Sequence, residues 1–171
     1  GNDLRYCSPL RRWYVWDGLR WRDDETGEVT RRAVESARSM RVEAASIPGD
    51  AGKRVFAWSQ RAENDRALSA TISCLESVTG IAVRANELDT DPLILNTLAG
   101  LVDLRTGELM PHCQADMITK LAPVYYDRDA ECPLWESFLS RVFQHNSDLI
   151  SFIQRAAGYS LTGSTTERAM F

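Results

Sequence analysis

A chain of 171 residues, 44% hydrophobic and 26% charged, has the composition of an ordinary globular domain and can bury roughly 70% of the surface its unfolded form exposes. No apolar run approaches the roughly 20 residues of a membrane-spanning helix and no signal-peptide pattern is present, so a cytoplasmic chain without a membrane partner is expected. The net charge of −4 is uneven: residues 1–85 hold 14 basic and 12 acidic side chains, residues 86–171 hold 6 and 12, so clustered positive charge for a nucleic acid is expected only in the first half.

The chain opens on a hairpin pattern, Arg12-Trp13-Tyr14-Val15-Trp16, then Asp17-Gly18, then Leu19-Arg20-Trp21-Arg22. Aromatic and β-branched flanks around Asp-Gly predict a two-residue turn, with Trp16 facing Leu19, Tyr14 facing Trp21 and Trp13 facing Arg22. Alternation then puts Tyr14, Trp16, Leu19 and Trp21 on one face, which must be buried, and Trp13, Val15, Arg20 and Arg22 on the other. The second face reads in two ways: a hairpin rim with a cation–π pair, or a surface that stacks on bases and grips a backbone. Nearly all the cations are arginine, with only Lys53 and Lys120 as lysines, and arginine suits both roles.

The polar loop Asp23–Gly27 places acids before a helix N-terminus, and a helix is predicted over Glu28–Ser46. Val29, Ala33, Ala37, Met40 and Ala44 form its apolar stripe, while Arg31, Arg32, Arg38 and Arg41 lie off it. Pro48-Gly49-Asp50 ends that helix and begins a short connection. A second helical region runs from about Lys53 to Thr79 with a break near Ser59–Asn64; Asn64 is a candidate cap before Leu68, Ile72 and Leu75. Gly80 ends it, Ile81-Ala82-Val83 reads as extended, and the acidic run Glu87–Pro92 reads as a solvated connector.

Leu93–His112 is the expected β platform of the fold. Leu93-Ile94-Leu95 leads to a break at Ala99-Gly100; a hairpin follows, Leu101–Leu104 and Glu108–Met110 around Arg105-Thr106-Gly107. Gly107 supplies the positive φ, and Pro111 stops the returning strand. Cys7, Cys74, Cys113 and Cys132 form no C-x-x-C pair and read as reduced thiols in or near the core. His112 and Cys113 lack further metal ligands, and as neighbours on a strand they point to opposite faces; no catalytic, cofactor-binding or metal residues are expected.

Met117–Ala122 and Pro123–Tyr126 read as extended segments interrupted by a proline. Pro133 suits the first position of a helix reaching about Gln144, with Leu134, Trp135, Phe138, Leu139 and Val142 as a buried stripe. A last helix over about Asp148–Ala157 turns Leu149, Phe152, Ile153 and Ala156 inward and ends at a left-handed Gly158. Ala169-Met170-Phe171 reads as the opening of a strand in something longer. The expected fold is α+β and predominantly helical, about four helices packed on short β-hairpins in one domain over 1–171.

Several of these stretches together resemble a known family. Asn96, Gly100 through Leu104, Thr106-Gly107-Glu108-Leu109 and Pro111-His112 are similar to a signature of a domain of phage and plasmid primase–helicases. The same domain precedes the superfamily-three helicase module of poxvirus primase-like NTPases. Trp16–Trp21, Ala157–Gly163, and Asp127–Pro133 with Trp135 and Phe138 resemble further family stretches, although Arg128 stands where proline is common. The resemblance implies a helicase-associated domain, with the helicase core beginning near residue 169 in a phosphate-binding loop that this chain does not contain. ATP and Mg²⁺ are thus implied for the parent DNA helicase/primase and no ATPase chemistry for this piece, in the cytoplasm of a bacterial host of a phage or plasmid. The implied role is a non-catalytic accessory domain joining an upstream region to the helicase module in cis and supporting homo-oligomers. The alternative is a single-strand or template DNA-binding module using Trp13, Arg20, Arg22, Arg31, Arg32, Arg38 and Arg41.

Overall fold

A computed structural model describes residues 2–166, so the strand expected at Ala169–Phe171 and the helicase boundary near 169 lie outside the described residues. The chain divides into two compact units: the first holds the residues up to Asp17 and Trp21–Leu88, the second Gly18–Arg20 and the residues from Asp89 onward. Among the described residues five α-helices, two small sheets of four and three strands and 47% helix make an α+β fold.

In the first unit, β1 (Leu4–Cys7), β2 (Arg12–Trp16), β3 (Trp21–Asp23) and β4 (Ala82–Val83) form a sheet of order β3-β2-β1-β4. β1 pairs antiparallel with β2 and parallel with β4. The β2–β3 register differs from the predicted one: Trp16 faces Trp21, Val15 faces Arg22 and Tyr14 faces Asp23, so the loop holds four residues, Asp17–Arg20. The reason lies in Leu19 and Arg20, which belong to the second unit: the Leu19 carbonyl accepts from Asn96 Nδ2 at 3.0 Å, and Arg20 Nη1 donates to Thr119 O at 3.3 Å. A slip of two residues preserves side-chain direction, so Tyr14 and Trp21 are buried as expected. The other face is buried too, because Val15 joins Leu4 and Val29 in a core against which Trp13 and Ile72 pack.

Helix α1 (Glu28–Ser46) has the predicted bounds. The Asp24 carboxylate accepts from the free amides of Glu28 and Val29 at 2.7 and 2.9 Å, which satisfies two N-terminal donors with negative charge. Val29, Ala37 and Ala44 of the stripe are buried. Pro48 bars Ile47 from helical geometry, yet the connection is only two residues long, because α2 (Gly49–Ala62) starts at once. A Cβ on Gly52 would lie 2.1 Å from the Ile47 carbonyl, so the α1–α2 approach requires glycine there. The expected break separates α2 from α3 (Asp65–Leu75), where the Asn64 side chain accepts from Ala67 N at 2.9 Å. That split makes five helices where about four were expected.

In the second unit, β5 (Ile94–Asn96), β6 (Leu101–Asp103) and β7 (Glu108–Met110) form an antiparallel meander. Gly107 takes φ 72° in the turn, and β7 ends just before Pro111. Leu101, Val102, Asn96 and Thr97 are buried at this platform. Residues 117–126 form no strand. They bond singly instead: Asn96 Nδ2 donates to Lys120 O at 2.8 Å, Ala122 N to Asn96 O at 2.8 Å and Leu98 N to Val124 O at 2.9 Å. Pro123, which has no N–H, interrupts any continuous ladder.

Helix α4 (Pro133–Val142) starts at its proline and ends on two left-handed residues, Gln144 and His145. α5 (Ser147–Ser160), capped by Asn146 onto Leu149 N at 3.1 Å, runs through Gly158, which is an interior helical residue and not the left-handed stop predicted for it. The buried stripes expected on these helices reduce to Leu139 and Ala156. Among the described residues no helix is long and apolar enough to cross a membrane.

Candidate functional site

Most of the arginines singled out for nucleic-acid contact lie in intramolecular ion pairs. Arg31 and Arg32 both bond the Glu28 carboxylate, and Arg32 also bonds Asp3. Arg38 and Arg41, one turn apart on α1, converge on Glu63 at 3.6 and 2.8 Å. The Arg32 guanidinium holds the Asp3 and Glu28 carboxyls below their usual range and is itself raised by them. Cations already compensated by carboxylates on their own chain contribute less to phosphate binding, which draws on counterion release by free positive charge.

The other candidates are separated. Trp13 packs against Tyr6, ring centroids 4.9 Å apart and planes tilted by 46°, beside the core of the first unit. Arg22 reaches the Asp23 carbonyl at 3.4 Å, and Arg20 bonds within the second unit. A cation–π contact of this sheet is made by Arg5, 4.4 Å over the buried Trp21 ring. Burial of Arg5 lowers its pKa. Register and the pairing of β1, neither visible in hydrophobic alternation, decide this.

The acids of the 87–92 connector hold the structure together. Asp89 accepts from both the backbone amide (2.7 Å) and the hydroxyl of Thr119. Asp91 receives two bonds from the Arg105 guanidinium, at 2.8 and 3.1 Å, which hold its carboxyl below the usual range. His112 Nε2 bonds the Thr97 carbonyl at 2.9 Å. Cys7 is buried, whereas Cys74, Cys113 and Cys132 are exposed and not in the core. Among the described residues no three His, Cys, Asp or Glu side chains converge as a metal site requires.

Two apolar features stand out, and sequence periodicity concealed both. The first is the set of exposed apolar side chains on α4 and α5. Leu134 is 86% exposed, and Trp135, Phe138, Val142, Leu149 and Phe152 are each 40–49% exposed. The rings of Trp135 and Phe138 stack with centroids 6.0 Å apart. A helical stripe in the sequence shows that a face is apolar, not what covers it. The second is a cavity of about 550 Å³ in the first unit, between α1, α2 and α3, walled by Val29, Ala37, Met40, Trp58, Leu68 and Leu75. Arg32 and Arg61 are the cations on its lining.

A search of the curated proteins returns no match. A family model described as D5 N terminal like matches residues 1–144, most of the chain, and the chain therefore belongs to that family, the N-terminal domain of primase–helicase proteins.

Proposed function

We propose that this chain is a non-catalytic docking module of a phage or plasmid primase–helicase. It joins the ATP-driven helicase module of its parent protein and supports self-association. The observation that carries this reading is the exposure of large apolar side chains on two consecutive helices, Leu134, Trp135, Phe138 and Val142 on α4 and Leu149 and Phe152 on α5. Apolar side chains exposed singly are ordinary on a protein surface, whereas larger exposed apolar areas mark interaction sites. Aromatic anchors such as Trp135 and Phe138 are the side chains that dominate interface energetics. ATP and Mg²⁺ belong to the helicase module in this reading.

The ion pairing of Arg31, Arg32, Arg38 and Arg41 weighs against the DNA-binding alternative. The test pairs sedimentation velocity with single-strand DNA binding measured across a salt series. Concentration-dependent association that Phe138→Ser abolishes, with no steep salt-dependent DNA binding, is the expected result. Tight DNA binding that falls steeply with salt and is lost in Arg20→Ala with Arg22→Ala, from a chain that stays monomeric, refutes the proposal.

A further inference from the structure

We infer that the aromatic tip of α4 in one copy of this chain inserts into the α1–α2–α3 cavity of a second copy, head to tail. The inference rests on the docking role proposed above and names the occupant of that surface. A tip and a slot are both present. At the start of α4, Leu134 is 86% exposed and the Trp135 and Phe138 rings lie stacked and half-exposed beside it. The cavity, about 550 Å³, lies within the range of roughly 300–1,000 Å³ that encloses compact apolar groups. Small side chains, Ala33, Ala37, Ala62 and Ala67, line it and leave that space, and Trp58 beside them is 55% exposed.

Charge selects this pairing over the alternative in which two α4 tips meet each other. Asp127, Asp129, Glu131 and Glu136 surround the tip, all exposed, with Arg128 the one cation among them. A self-paired contact would bring these acids together, and facing like charges are costly. The cavity lining presents Arg61 instead, whose guanidinium makes no ion pair among the described residues, while its other cation, Arg32, is held by Asp3 and Glu28. Because tip and slot are different surfaces, each copy supplies one half of the contact and receives the other.

Two kinds of variant test this. Trp135→Ala with Phe138→Ala removes the tip. Ser36→Trp and, separately, Thr71→Phe block the slot from exposed positions on its lining. Circular dichroism matching the unaltered chain confirms that each variant folds. Every variant alone is expected to self-associate at least about tenfold more weakly, the loss typical of an interface anchor. A mixture of tip and slot variants is expected to form a one-to-one heterodimer that grows no further, since each partner supplies the half the other lacks. If the tip variant dissociates while both slot variants assemble normally, the docking role of α4–α5 stands and the slot is not its receptor. If the mixture yields no heterodimer, or the unaltered chain is monomeric at every concentration, the inference is overturned.

Discussion

Gly100 offers the sharpest test of the packing described for the β platform. It sits between β5 and β6 at φ 149°, and a Cβ built there lies 2.3 Å from the Met110 carbonyl oxygen and 3.0 Å from Leu109 Cδ1. The oxygen belongs to the backbone of β7, where Met110 faces Leu101, so no side-chain rotation relieves the clash. Gly100→Ala therefore incurs about 1–3 kcal/mol for an unfavourable backbone conformation and about 1–3 kcal/mol for displacing packed structure. For a protein of this size each kcal/mol moves the melting temperature by about 2–4 °C, so calorimetry should record a fall of roughly 4 °C or more. The control is Gly158→Ala, within α5 and with no atom within 4 Å of the added methyl. That change should stabilise by about 0.5–1 kcal/mol, because alanine loses less conformational freedom than glycine in a helix. If Gly100→Ala melts within about a degree of the unaltered chain, a shift below the smallest expected here, the close approach of Gly100 to β7 is wrong.

Three further outcomes follow from the same geometry. Leu139→Ala, at the 1% exposed position of α4, should cost about 2–5 kcal/mol in chemical denaturation, whereas Leu134→Ala at the 86% exposed position should stay within about 0.5 kcal/mol and lower self-association instead. Asp24→Ala removes the carboxylate that accepts from Glu28 N and Val29 N, and should cost about 1–2 kcal/mol, read as lost helical signal on heating. The Arg32 bonds to Asp3 and Glu28 depress both carboxyl pKa values. Their stabilising effect is therefore complete above the unfolded carboxylate range near ~4 and is lost as the pH falls through the depressed folded values. The melting-temperature gap between the unaltered chain and Arg32→Gln should accordingly narrow on acidification; a gap independent of pH would refute the assignment.

Local chemistry was enough to locate most elements. Asp24 before α1, Pro48 after it, Asn64 ahead of α3, Gly107 in the platform turn and Pro133 at the head of α4 each act within a few residues. Their effects are properties of the backbone beside them, so the bounds of α1, the starts of α3 and α4 and the central hairpin were legible without a structure. The signature around Asn96–His112 was legible for the same reason, and the family match agrees with it.

What only the tertiary structure decided concerns surfaces and partners distant along the chain. Asp17-Gly18 favours a two-residue turn, but the bond from Asn96 to the Leu19 carbonyl, 77 residues apart, accompanies a four-residue loop and a shifted register. Alternation left one face of β2 open, and α1 covers it through Val29. The apolar stripes of α4 and α5 were visible, whereas their exposure was not, and the basic side chains of α1 gave no sign of the glutamates that neutralise them. Periodicity records which side chains share a face. What that face meets depends on residues far away in the sequence, and only the packed chain brings them together.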